Sequence, residues 1–370
     1  MVKKVLALAL TAVMALAPAV SVFAEDMKVA MVTDYGDIND QSFNQTTYEA
    51  CKAYSEENGV DFTYYKPEGD STADRAAMID MAAADGYNVV VMPGYAFAEA
   101  IVEEADMYPD VKFIALDVSQ YDLDTASGEE GYARDNIYSA VYQEELAGYM
   151  AGVAAVKLGY KKLGFLGGMA VPAVIRYGYG FVQGADAAAA ELGLSDVEIN
   201  YAYGNQFYGD ADITAAMDTW YAGGTEVVFA CGGGIYTSAC EAAEKTGGKV
   251  IGVDVDQKAL IDSTYEDGMC VTSAMKGLSA TVKTVLGAIA DDKWADFGGK
   301  VENLGLIGED PAANYVGLPD TTAYNDTFTA DDYAALVAAM FKGEVTVSND
   351  TEAAEPTAEN VTVNFQGNLK

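Results

Sequence analysis

The chain has 370 residues, 51% of them hydrophobic, which is enough for two domains with sizeable cores. Lys and Arg total 21 against 57 Asp and Glu, a formal net charge of −36, and that charge argues against nucleic acid as a partner. Histidine is absent, which removes Ser-His-Asp and Cys-His catalysis and every His-ligated metal site.

The chain opens with "MVKKVLALALTAVMALAPAVSVFAED". Lys3 and Lys4 precede an apolar run, and Val22-Phe23-Ala24 fits a small-residue cleavage site. Residues 1–24 therefore read as a signal peptide of an exported protein, with an uncleaved anchor as the lesser alternative. No cysteine follows closely, so lipid attachment has no acceptor there.

Strands and helices then alternate. "MKVAMVTD" is a buried-strand pattern ending at Asp34, and "QSFNQTTYEACKAYSEENG" is helical with Gly59 as its stop. "VDFTYYKP" alternates like a strand, and "STADRAAMIDMAAADG" is a helix capped by Ser71 or Thr72. "YNVVVMPG", "AFAEAIVEEADMYP" and "VKFIALDV" continue as strand, helix and strand. Such βαβ repetition implies a parallel sheet covered on both faces. Residues 120–135 read as a loop. "NIYSAVYQ" leads into a helix, "EELAGYMAGVAAVKLG"; a second α/β unit then runs from "KKLGFLGG" to "KVIGVDVD", and "MCVTSAMKGLSATVKTVLGAIADD" adds one more strand and helix. "TADDYAALVAAMFKG" is a final helix. The acidic tail, 344–370, shows little periodicity and is expected to be loosely ordered.

In open parallel sheets, ligands bind beyond the carboxyl ends of the strands. Asp34, Gly94-Tyr95, Asp117, Asp254 and Asp256 all stand at such ends. One aspartate there is commonly a helix cap; several on facing edges would line a cleft. Glycine pairs and triplets also end strands (Gly167-Gly168, Gly232-Gly233-Gly234), yet the first strand lacks G-x-G-x-x-G and no Walker sequence occurs. Phe43 and Phe207 lie at loop-to-helix joins, where an aromatic serves as a staple or as a binding platform. Lys276 is one of few basic residues in its half. The four cysteines (Cys51, Cys231, Cys240, Cys270) lack C-x-x-C spacing, so a zinc cluster is not expected. They read as small buried residues, and the sequence assigns no disulfide.

"VTDYGDINDQSFNQ" resembles the opening signature of the basic membrane protein family, the substrate-binding receptors of ABC transporters related to bacterial purine nucleoside receptors. "GYAFAEAIVEEADMYPDVKFIALD", "EELAGYMAGVAA", "KLGFLGG", "GYGFVQGADA", "YGNQFYGDAD", "GGTEVVFACGGG", "VIGVDVDQ" and "VTSAMKG" follow in the same order, from about Lys28 to Leu318. The resemblance implies an α/β, type I periplasmic-binding-protein fold: two doubly wound parallel-sheet lobes joined by a hinge. The lobes would be 27–139 plus 257–290, and 140–256 plus 291–343. It implies a purine nucleoside sandwiched between Phe43 and Phe207. Asp34, Asn44 and Asp117 would hold base edges, an Asp254–Lys276 pair the ribose, and Gly233 would turn its backbone to the ligand. No cofactor, metal or catalytic residue is implied. The partners would be permease subunits, and the protein a monomer at the outer face of the membrane. Two alternatives stay open: a sugar or other small polar metabolite in the same cleft, and an NAD-dependent enzyme on a doubly wound sheet.

Overall fold

The computed structural model describes residues 27–34 and 36–370; the expected signal peptide lies outside them. The first half runs β1 (Lys28–Val32), α1 (Phe43–Asn58), β2 (Asp61–Tyr65), α2 (Thr72–Ala84), β3 (Val89–Pro93), α3 (Ala98–Ala105), β4 (Lys112–Leu116), α4 (Gln120–Ser127) and β5 (Ile137–Tyr142). The second runs α5 (Glu144–Lys157), β6 (Lys162–Gly167), α6 (Pro172–Leu192), β7 (Glu198–Tyr203), α7 (Ala211–Ala222), β8 (Val227–Cys231), α8 (Tyr236–Glu244), β9 (Lys249–Asp254), α9 (Lys258–Thr264) and β10 (Cys270–Lys276). It is followed by α10 (Leu278–Ala290), β11 (Lys300–Leu304), β12 (Val316–Gly317), α11 (Ala330–Phe341) and β13 (Thr362–Asn368).

Two sheets result, ordered β2-β1-β3-β4-β5-β11 and β13-β7-β6-β8-β9-β10-β12. Every neighbouring pair is parallel except β10 and β12. The central strands β3 and β8 are wholly buried, because helices cover both faces of each parallel sheet. In each sheet the order reverses beside the first strand of its unit, β1 or β6. That reversal opens a crevice at the carboxyl ends, where ligands bind.

Three features depart from the sequence reading. Segment 257–290, expected in the first lobe, is split. Its strand β10 joins the second sheet beside β9, while α10 packs on α1, with the Tyr54 hydroxyl donating to Leu286 O at 3.2 Å. Conversely, β11 edges the first sheet beside β5, although 291–343 was expected in the second lobe. Hydrophobic period marks a strand but not its neighbour, so exchanges of this kind leave no local trace.

Residues 120–127 form α4 rather than loop. Ser119 accepts from Asp122 N while Asp122 accepts from Ser119 N, a capping box. The tail is also ordered: β13 pairs with β7, and the Asp186 carboxylate accepts from the backbone N–H groups of Glu359, Asn360 and Val361. Its strand alternates half-buried and exposed positions on a sheet edge, a weak signal in a polar segment. All four cysteines are buried and free.

Candidate functional site

A cavity of about 750 Å3 lies between the facing carboxyl ends of the two sheets. From the first lobe it is lined by Asp34, Phe43, Asn44 and Asp117. The second lobe contributes Phe207, Gly233, Asp254 and Lys276. All eight residues that the resemblance assigned to the ligand thus line one space; Asp256, the other strand-end aspartate, instead accepts from the Thr321 hydroxyl at 2.7 Å.

Local chemistry explains how they come together. Ser42 caps α1 without a side-chain bond to the helix; Asp40 does that work, accepting from the N–H groups of Ser42, Asn44 and Gln45 at 2.9–3.0 Å. This fastens the turn after β1 and sets Phe43 and Asn44 at the helix mouth. Asp117 follows β4 and Asp254 ends β9, the fourth strand of each unit, and both adopt φ 65°. Non-glycine residues rarely adopt that conformation, and it recurs where a side chain must be aimed at a site. Gly94 after β3 and Gly232 after β8 are also matched. They adopt φ 127° and 140°, and a Cβ would lie 2.5 Å from Asp34 Oδ2 and 2.8 Å from the Phe207 ring, respectively. Glycine there admits the two side chains.

The floor is a buried charge network that crosses between lobes. Lys276 Nζ lies 2.6 Å from Asp117 Oδ2 and 3.3 Å from Glu144 Oε1. Glu144 Oε2 accepts from Arg176 Nε at 2.7 Å. The side chains of Lys276 and Glu144 are 2% and 0% exposed, so neither is solvated. Lys276 Nζ also sits 4.6 Å from the centre of the Phe43 ring, within cation–π range.

The expected Asp254–Lys276 pair is therefore corrected. Lys276 bonds to Asp117 and Glu144 instead, and Asp254 accepts from Ser42 Oγ at 2.5 Å. A second bond between lobes runs from Gln257 Nε2 to Gln41 O at 3.0 Å. Burial opposes charge on Lys276, but Asp117, Glu144 and Asp254 outweigh it and hold its pKa above the ordinary lysine value. Burial likewise opposes charge on Glu144, and Arg176 with Lys276 overcomes it, keeping that carboxyl below its usual range. Burial dominates at Asp34 and Asp254, and each is raised to about 6.

Glu144, Arg176 and Tyr177 were missed from the sequence, though each lies in or beneath this site. One signal existed. Helix α5 is buried along nearly its whole length, and an all-apolar helix belongs in a core. The charged pair at its start, Glu144 and Glu145, had to be buried with it.

A family model described as ABC transporter substrate-binding protein PnrA-like (Bmp) matches residues 27–327. The chain is 28% identical over 286 residues to the ABC transporter nucleoside-binding protein BmpA of Lactococcus lactis, covering 73% of this chain and 76% of that protein. A solute-binding protein of an Aeropyrum pernix ABC transporter system has a similar fold, with TM-score 0.67, 22% identity and 88% of each chain covered. Another from Conexibacter woesei gives 0.65 and 24%, covering 87% of this chain and 99% of that one. With a parallel α/β fold shared with solute-binding proteins and a family match spanning both sheets, the chain belongs to the Bmp family of PnrA-like ABC transporter substrate-binding proteins.

Proposed function

We propose that the protein binds a purine nucleoside in the cavity and hands it to the permease from the outer face of the cytoplasmic membrane, acting as a monomer. One observation carries the reading: Phe43 and Phe207, from opposite lobes, line one cavity whose floor is a row of buried carboxylates and one lysine. A neutral base offers two π-faces to two rings, and stacking contributes about 1–3 kcal/mol per base. The carboxylates of Asp34 and Asp117 and the amide of Asn44 suit the donors and acceptors of a base edge. Asp254 and Lys276 suit vicinal hydroxyls, which donate to a carboxylate and accept from an ammonium. Gly233, at φ 51°, turns its backbone beside Phe207. The carboxylates disfavour a phosphate, so nucleoside is preferred over nucleotide. The nucleoside-binding relative in Lactococcus lactis supports the same choice.

Isothermal titration with inosine, guanosine and adenosine, set against ribose and inosine monophosphate, tests the reading. Micromolar or tighter binding of at least one nucleoside is expected, lost by tenfold or more in Phe43→Ala and Phe207→Ala. Heat from a sugar alone, or unchanged affinity in both variants, would end it.

A further inference from the structure

Three buried polar atoms on residues lining the cavity have no hydrogen-bond partner among the described residues: Asn44 Oδ1, Asp117 Oδ1 and the Tyr177 hydroxyl oxygen. A buried polar group left unpaired costs about 1–3 kcal/mol, so it marks a place where another group is accommodated. The first two atoms are acceptors and call for donors on the ligand. Tyr177 is different, because its hydroxyl brings a donor to an otherwise acceptor-rich wall.

Tyr177 is also held rigidly. Its ring stands edge-to-face on Phe229 at 5.9 Å and 89°, and Lys276 Nζ lies 6.0 Å from its centre. Behind it, Gly148 of α5 packs so closely that a Cβ would lie 2.1 Å from the Tyr177 carbonyl oxygen. Helices α5 and α6 therefore meet there with no side chain between their backbones. Burial, then the field of Asp254, keeps the phenol far above its ordinary pKa, so it stays a neutral donor at any physiological pH.

We infer that Tyr177 completes the ribose clamp: its unpaired hydroxyl donates to a ribose hydroxyl in the part of the cavity where Lys276 Nζ lies 6.0 Å from its ring. This rests on the nucleoside reading above. A hydroxyl can accept from the phenol in this way, whereas hydrogen at that carbon would leave the Tyr177 hydroxyl unpaired. Tyr177 is then a specificity-determining residue, selecting ribonucleosides over one deoxy form.

The test is titration of guanosine, 2′-deoxyguanosine and 3′-deoxyguanosine into wild type and Tyr177→Phe. Wild type is expected to lose about tenfold on removal of one of the two hydroxyls. Tyr177→Phe should lose about tenfold with guanosine while binding that deoxy analogue as wild type does. The free variant should melt no lower than wild type, because the change removes an unpaired buried hydroxyl. Unchanged guanosine affinity, an equal loss for all three ligands, or a lowered melting temperature would overturn the assignment. Wild type that binds none of the three would instead overturn the nucleoside reading, and this inference with it.

Discussion

Lys276→Met is the most informative single perturbation of the cavity floor. Lys276 contacts Asp117 at 2.6 Å and Glu144 at 3.3 Å with almost no exposure. Glu144 keeps a cation after the change, since Arg176 Nε stays at 2.7 Å. Asp117 does not, so the variant holds one uncompensated buried carboxylate. Breaking a buried pair in this way costs about 3–5 kcal/mol, where deleting both partners is near neutral. The deficit has a sign in pH. Burial already holds the folded-state pKa of Asp117 above its unfolded value of about 3.9, and without Lys276 it rises further. Such a group contributes stability below the unfolded pKa and loses it as pH climbs through the folded pKa. Urea unfolding followed by far-UV circular dichroism should show the full deficit at pH 7.5 and a much smaller one at pH 5. Adding Asp117→Asn to the variant should recover most of it. A variant as stable as wild type at pH 7.5, or a deficit that neither acid nor Asp117→Asn reduces, would refute the account of the floor.

Binding and folding should respond to acid in opposite directions. Burial raises Asp34 and Asp254 to about 6, so both lose their acceptor form below that pH. Nucleoside affinity is expected to fall about tenfold for each such group between pH 7 and pH 5, as read by titration calorimetry; a flat profile would show that neither carboxylate accepts from the ligand. In the empty protein the same two groups are stabilising when protonated, so their contribution is complete below about pH 4 and is lost as pH rises through 6. The tail supplies another test. Truncation after Gly343 removes β13, uncovers the β7 edge and strips Phe365 from Tyr201, whose rings lie 5.7 Å apart. A loss of about 1–2 kcal/mol for this half-buried ring and concentration-dependent aggregation through the bared edge are expected, read by thermal melting and light scattering. A truncated chain that melts like the full one would show the strap to be dispensable.

Much of this architecture was legible because its signals are local. Buried parallel strands announce themselves as apolar runs, as in "VVVMP" and "VVFAC". Asp34, Asp117 and Asp254 stand out because a charge ends such a run. Partnership was not legible. Nothing in "VTSAMKG" says that its strand lies beside β9 while the next helix crosses to α1. Nor does it say that Lys276 meets Asp117, 159 residues away in sequence, rather than Asp254. Helix α4 was readable in principle, since Ser119 and Asp122 have capping-box spacing; its glycine- and acid-rich continuation masked the start. The weakest signal was Arg176, a charge within "VPAVIRYGYG" whose partner, Glu144, sits on another helix.

The network implies a particular economy of ligand exchange. Asp117 belongs to the first sheet and Lys276 to the second, and their contact joins the lobes. Ser42 to Asp254 and Gln257 to Gln41 join them again. The lobes are thus held together by the protein's own polar groups around an acidic space. A ligand stabilises this arrangement only through what it adds beyond those bonds. The unpaired Asn44 and Asp117 oxygens are where addition is possible, in a space that Phe43 and Phe207 also line. A cation would also satisfy the carboxylates, but it would meet Lys276 and Arg176, which already pair with them. On the nucleoside reading, a flat neutral ring bearing donors would meet the unpaired oxygens, whereas a phosphate would face the carboxylates.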